Sequence, residues 1–356
     1  MPIPQIERIQ AFVASQPGIL PRGGRSKTAL TPSAGSQILD VSELTGVIEY
    51  SPSEYTFTAL AGTPLTEIDH ALSKNGQFLP FDPPFVDRGA TLGGAIAAGL
   101  SGSGRYRYGG LRDFILAVQF LDGEARIVKA GGKVVKNAAG FDIPKMMVGS
   151  LGAFGAMIEV TFKVFPKPAG YATLVTSLPD LQQALDKLIQ TTLSPFDLFA
   201  LDLEPHPDRY DLILRIGGSP GSFPDRLGRL LSFLGDGRIL DEDQEITYWR
   251  GLREFSWVKP DNYLVKVPLT PKRVYQLDAF LADNNAQRRY AVGANLAWIA
   301  WTKPLDLLDQ KLTTLGLAGL VVLGSPGKVR LGALPSLAFA KRVKTALDPQ
   351  RRWLEI

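Results

Sequence analysis

Three glycine-rich stretches in the first half of the chain constrain its fold most. They are Pro21-Arg22-Gly23-Gly24-Arg25-Ser26-Lys27, Gly89-Ala90-Thr91-Leu92-Gly93-Gly94, and Gly149-Ser150-Leu151-Gly152-Ala153-Phe154-Gly155. Glycine lets backbone approach a neighbour closely and adopt positive φ without a Cβ clash. Successive N–H groups in such turns form nests that hold anions. Three of them within one domain suit a long ligand with a phosphate-bearing middle, and a dinucleotide has that form.

At 356 residues the chain is expected to form two domains. It has no cysteine, which excludes disulfides, an iron–sulfur cluster of its own and a cysteinyl flavin link. The net charge of +4 is spread along the chain, so nucleic acid is not an expected partner. The first 16 residues carry Glu7 and Arg8 and lack the apolar core of a signal peptide. No 18-residue apolar run is present, and a cytoplasmic protein is expected.

Periodicity predicts a helix over 3–15, strands at 19–21, 38–44 and 54–60, and a helix from Leu65 to Lys74 with Leu65, Ile68 and Leu72 inward. A small-residue helix is expected from Ala95 to Leu100. A hairpin, 114–121 and 125–129, is expected to turn at Asp122-Gly123. A short helix at Met146-Met147 and a long strand from Ala156 to Phe165 follow. Pro166-Lys167-Pro168 marks a boundary. Beyond it the order strand 172–177, helix 179–192, strands 197–203 and 210–216, helix 224–234, strand 237–241 is ferredoxin-like. A looser copy runs over 263–323, and a last helix over 335–347. The fold class is α+β. Its expected domains are 1–168, an antiparallel-sheet unit 169–333, and a C-terminal helix and tail 334–356.

The first loop sets Arg22, Arg25 and Lys27 around Gly23-Gly24, a set of donors suited to a pyrophosphate; a solvated turn is the competing reading. No GxGxxG follows the first strand and no GxxxxGK[ST] occurs, which argues against an ordinary Rossmann site or a P-loop. Small side chains after Thr91 admit a flat ring or a packed helix. Arg105, Tyr106, Arg107 and Tyr108 suit an anionic substrate, a partner surface or a solvated loop. Asn137 suits a hydrogen bond to cofactor, and Asp142 a helix cap. Only His70 and His206 are present, too few and too isolated for a metal site.

Together these stretches resemble the FAD-binding domain of the vanillyl-alcohol oxidase / p-cresol methylhydroxylase (PCMH-type) superfamily. Within it, the chain is similar to the FAD-binding subunit of bacterial-type glycolate oxidase. Pro-Arg-Gly-Gly-Arg-Ser-Lys stands for that family's Pro-Arg-Gly-Gly-Gly-Thr-Lys. Thr91-Leu92-Gly93-Gly94 is followed by a Gly-x-x-Arg-x-Gly at 104–109. Lys136 to Asp142 stands for Lys-Asn-x-x-Gly-Tyr-Asp, with Phe141 in place of tyrosine, and Gly149-Ser150-Leu151-Gly152 completes the set. The resemblance covers residues 10–168 closely and the rest in outline.

The resemblance implies a PCMH-type domain of two α+β subdomains with FAD bound non-covalently between them. Arg22, Gly23, Gly24, Arg25, Ser26 and Lys27 would hold the pyrophosphate. Thr91, Leu92, Gly93, Gly94, Ala98 and Gly99 would lie along the ribityl chain and ring, and Gly149, Gly152, Gly155 and Ile158 on the adenine side. Also implied are oxidation of glycolate to glyoxylate and action with a catalytic flavin subunit and an iron–sulfur subunit. Partners would bring the chain to the inner face of the membrane. Catalytic relatives carry a histidine cluster with Gly-Asp-Gly-Asn that this chain lacks, so no catalytic base is assigned. A self-sufficient FAD-dependent 2-hydroxy acid or sugar dehydrogenase, and a non-catalytic flavin-bearing assembly or electron-relay subunit, stay open.

Overall fold

The computed structural model describes residues 3–31, 35–132, 142–334 and 337–355. Contacts divide the chain into two compact units. Unit 1 comprises Met1–Ser101, Gly110–Lys167 and Pro335–Ile356; unit 2 comprises Gly102–Gly109 and Pro168–Leu334. The C-terminal stretch, expected as a helix and tail, groups with the first unit.

Unit 1 opens with α1 (Ile3–Ser15), whose Ile6, Ile9 and Val13 are buried on one face. Strands β1 (Ile19–Arg22) and β2 (Gln37–Asp40) pair in parallel. An antiparallel sheet follows: β3 (Val47–Ser51), β4 (Thr56–Leu60), then, after β5 (Gln77–Phe78), β6 (Ile115–Leu121), β7 (Ile127–Gly131) and β8 (Ala156–Lys163). Its order is β3-β4-β8-β6-β7, and β5 pairs with β9 (Phe165–Pro166). The expected strand 38–44 thus ends at Asp40, and β3 is additional. Phe57 and Phe162 stack across β4 and β8 at 6.0 Å between centroids.

Helix α2 (Leu65–Ser73) buries Leu65, Ile68 and Leu72 as the spacing requires. Helix α3 (Leu92–Ala98) starts three residues before the expected Ala95 because Thr91 caps it, accepting the Gly94 N–H at 3.3 Å. Gly99 closes it at φ +62°. The hairpin does not make a two-residue turn at Asp122-Gly123. Asp122 N–H reaches Arg126 O at 3.1 Å, and Ala125 takes the left-handed conformation at φ 59°. Gly123 instead lies where a Cβ would overlap Asp348.

Unit 2 contains the one-turn α4 (Arg105–Tyr108), while α5 (Ile143–Met147) belongs to unit 1. Two βαββαβ copies follow. The first is β10 (Gly170–Leu178), α6 (Leu181–Thr192), β11 (Ala200–Pro205), β12 (Tyr210–Gly218), α7 (Phe223–Leu234) and β13 (Arg238–Ile239). After α8 (Glu242–Arg253) comes β14 (Tyr263–Pro268), α9 (Pro271–Asp283), β15 (Gln287–Ala291), β16 (Leu296–Trp301), α10 (Leu305–Leu315) and β17 (Ala318–Leu323), with β18 (Arg330–Gly332) added. The sheet order is β13-β10-β12-β11-β15-β16-β14-β17-β18. The copies join edge to edge where Leu203 faces Tyr290, so the looser repeat is a true second copy. The last helix is α11 (Leu337–Leu347), in unit 1.

Candidate FAD site

The first glycine loop leaves β1 and lines an open cleft in unit 1 with Thr91, Gly94, Ala97, Ala98 and Leu151. The backbone N–H groups of Gly23, Gly24, Arg25, Ser26 and Lys27 find no acceptor among the described residues. Arg25 adopts φ 55°, which turns successive amides in the manner of a nest. Ser26 and Lys27 are buried at 9% and 6% exposure. Gly23 and Gly24 are half-buried and Arg25 is exposed, so the run turns its free donors toward the open cleft, and the buried pair at its end calls for an acceptor there.

Lys27 adds a charge to those donors. Its ammonium donates to Ser26 Oγ at 3.0 Å and lies 5.7 Å from the centroid of Phe85. It lies 4.0 Å from where a Cβ would stand on Gly94, beside the first turn of α3. No carboxylate pairs with it among the described residues. Burial therefore lowers its pKa from 10.5 to about 8.

Arg22 and Arg25 both reach Asp40 Oδ2, at 3.4 Å each. Ser42 also holds Asp40, through its N–H at 3.0 Å and its hydroxyl at 2.5 Å. Burial acts against the charged Asp40, but the Ser42, Arg22 and Arg25 hydrogen bonds outweigh it and lower its pKa. Arg22 Nε is buried and meets no acceptor among the described residues.

Gly23 is required because a Cβ there would overlap Thr91 Oγ1, and Gly24 because one would overlap the Gly89 carbonyl oxygen. These two glycines thus seat the first stretch on the second. In α3, Leu92 N–H reaches Thr63 O at 3.0 Å and Gly93 N–H reaches Ala61 O at 2.7 Å. The donors of this helix start are taken by protein. Leu92 is fully buried, and what faces the cleft is Thr91, Gly94, Ala97 and Ala98.

The third stretch is also committed to the protein. Gly149 and Leu151 N–H groups reach Ile96 O and Ala97 O, each at 2.9 Å. Gly152 packs on Pro21, and a Cβ on Gly155 would overlap Leu121 O. Ile158 is 1% exposed in the core with Ile19, Leu121 and Trp353. Gly155 and Ile158, expected beside a ligand, are packing positions. Leu151 is the residue of this stretch that lines the cleft. The stretch Lys136–Phe141 lies outside the described residues; Asp142 caps α5, accepting the Lys145 N–H at 3.3 Å.

Ala97 and Leu151 were missed from sequence, as was Phe85. Ala97 could have been found, because it lies one helical turn after Gly94 and so shares its face.

A second positively charged region lies in unit 2. Residues directly opposite in neighbouring strands share a sheet face. Lys266 faces Trp298 on one side and Leu320 on the other, and Leu320 faces Arg330. Burial, and secondarily the Arg105 charge, lowers the Lys266 pKa to about 8. Burial lowers that of Arg330 too. Neither Arg105 nor Arg330 makes an ion pair with a described residue. His206 sits 3.1 Å from Asp211, in a turn as expected. Among the described residues no group of three or more His, Cys, Asp or Glu is arranged to hold a metal. None of the helices there is long and apolar enough to cross a membrane.

A family model described as "FAD binding domain" matches residues 5–131. A solved alkyldihydroxyacetonephosphate synthase superposes with TM-score 0.72, covering 98% of this chain and 74% of that one at 16% identity; that likeness concerns the fold alone. The chain is an FAD-dependent oxidoreductase with the PCMH-type α+β fold. Glycolate oxidase subunit GlcE of Escherichia coli (strain K12) is 33% identical over 346 residues, 97% of this chain and 93% of that protein. The chain belongs to the glycolate oxidase subunit GlcE family. D-2-hydroxyglutarate dehydrogenase of Xanthomonas citri pv. viticola is 28% identical over 207 residues, and glycolate oxidase subunit GlcD of Bacillus subtilis 28% over 189. The chain spans 43% and 40% of those two proteins.

Proposed function

We propose that this chain is the FAD-binding subunit of a glycolate oxidase, converting glycolate to glyoxylate together with a catalytic flavin subunit and an iron–sulfur subunit. The observation that carries the cofactor site is the run of N–H groups from Gly23 to Lys27 that have no acceptor among the described residues, ending in a buried ammonium that meets no carboxylate among them. A pyrophosphate supplies both the missing acceptors and the missing charge. In this reading Lys27 and the 23–27 amides hold the pyrophosphate, and Arg22 Nε lends a further donor. Thr91, Gly94, Ala97 and Ala98 give a flat, small-residue wall. FAD, when bound, supplies the two-electron acceptor. The resemblance and the 33% identity to a GlcE subunit support the subunit role. The same role would place the chain at the inner face of the membrane through its partners.

The Lys266–Arg330 row with Arg105 favours a second reading, a dehydrogenase that itself binds the carboxylate of a 2-hydroxy acid. Anaerobic glycolate separates the two. The isolated, FAD-loaded chain should keep its flavin oxidised and gain dye-linked turnover only when its partners are co-expressed. Bleaching of the isolated chain by glycolate would replace the subunit reading with the self-sufficient one.

A further inference from the structure

Behind the cleft, a second buried lysine joins its two walls. Lys344 lies on α11 and its side chain is 6% exposed. Its ammonium donates to three acceptors: Asp348 Oδ2 at 2.9 Å, Trp353 O at 3.0 Å and Ala153 O at 3.2 Å. That uses all three of its protons. Asp348 in turn accepts from the Arg352 N–H at 2.7 Å and the Trp353 N–H at 3.0 Å.

Each carbonyl belongs to a different wall. Trp353 runs parallel to Ile19. Ile19 N–H reaches Arg352 O at 2.6 Å, and Leu354 N–H reaches Ile19 O at 3.1 Å. The C-terminal segment thus makes a parallel bridge to the start of β1, whose far end opens into the Gly23–Lys27 run. Ala153 sits in the turn that presents Leu151 to the cleft and packs Gly152 on Pro21. We propose that Lys344 is a positioning residue for the cofactor cleft, fixing from behind the spacing between the first glycine loop and the Leu151 turn.

A buried ion pair is weak as a stabilising device and best attested as a register device. Here the ammonium also holds two backbone carbonyls, one 191 positions before Lys344 and one nine after it. A hydrophobic side chain of equal size could fill that space but could not hold both carbonyls. Preorganised walls bind more tightly because less ordering is left for the ligand to impose.

The proposal rests on the cofactor reading of the cleft, and the test separates the two. Apo-protein of wild type, Lys27→Met, Lys344→Met, the double variant Lys344→Met/Asp348→Asn, and Thr58→Val is titrated with FAD by flavin fluorescence. Circular dichroism sets a temperature at which each is folded. Thr58 pairs with Thr161 inside the β4–β8 sheet at 2.9 Å, so its loss tests destabilisation alone. If Lys344→Met does not fold, the double variant, which leaves no orphaned carboxylate, carries the measurement.

We expect both Lys344 variants to bind FAD at least about tenfold more weakly and release it faster, with Thr58→Val unchanged in affinity. Affinity within about twofold of wild type in a folded Lys344 variant overturns the proposal. So does an equal loss in Thr58→Val. Loss of FAD in Lys27→Met beside an unaffected Lys344 variant leaves the cleft standing and removes only the positioning role. An unaffected Lys27→Met removes both.

Discussion

Replacing Lys27 with methionine should move stability and cofactor binding in opposite directions. In the apo-protein the ammonium is buried with no carboxylate partner among the described residues, and its pKa is lowered from 10.5 to about 8. At pH 7 that burial costs the folded state about 3 kcal/mol, at 1.36 kcal/mol per pH unit. Methionine keeps the unbranched stem and removes the charge. The lost hydrogen bond to Ser26 Oγ gives back ~1 kcal/mol. The apo-variant should therefore be about 2 kcal/mol more stable and melt a few degrees higher. FAD affinity should fall by ~1.5–3 kcal/mol, the loss of one charge-assisted bond to phosphate, or about 10- to 150-fold.

The pH dependence has a definite sign. Between about 8 and 10.5 the unfolded chain binds a proton at Lys27 that the folded apo-protein has lost. Wild-type apo stability therefore gains from this group as pH rises through that window, and below about pH 8 the penalty is complete. FAD binding runs the other way, weakening as pH rises through 8 because the free protein loses its ammonium. The assays are thermal unfolding of apo-protein and fluorescence titration with FAD, both from pH 6.5 to 9.5. An apo-variant that melts lower while keeping wild-type FAD affinity would refute the reasoning.

Gly24→Ala brings a Cβ against the Gly89 carbonyl oxygen. It should destabilise unit 1 as well as weaken FAD, visible as a lower Tm even without cofactor. Gly149→Ala meets no atom within 4 Å but sits at φ +81°. It should cost only the backbone strain, ~1 kcal/mol in thermal unfolding, with the FAD affinity little changed. Acid precipitation of the holoprotein should leave FAD in the supernatant; flavin retained in the pellet would contradict a non-covalent site.

The glycine stretches were legible because glycine reports backbone constraints directly, but their causes were not. Gly24 is required by its contact with the Gly89 carbonyl oxygen, 65 positions away, which the local sequence does not encode. The Gly149–Gly155 amides read as free donors, yet two of them are spent on the last turns of α3, more than 50 positions earlier. Lys27 was visible as one of three cations. Its isolation depends on Phe85 and α3 folding over it, which no local pattern encodes. In unit 2, strong alternation and helix periodicity exposed both βαββαβ copies. Helix α8 was missed because its composition is polar, although its capping box, Asp241 with Gln244, is a recognisable start signal. The Lys344 tripod joins residues 191 positions apart and was beyond reach from sequence.

Amide hydrogen exchange, followed by mass spectrometry with and without FAD, tests the central claim most directly. The N–H groups of Gly23 to Lys27 have no acceptor among the described residues, so FAD should slow exchange strongly in a peptide covering them. The amides of Gly149 and Leu151 are already bonded and should change little. Protection by FAD elsewhere in the chain, with the Gly23–Lys27 peptide exchanging as fast as before, would contradict the account.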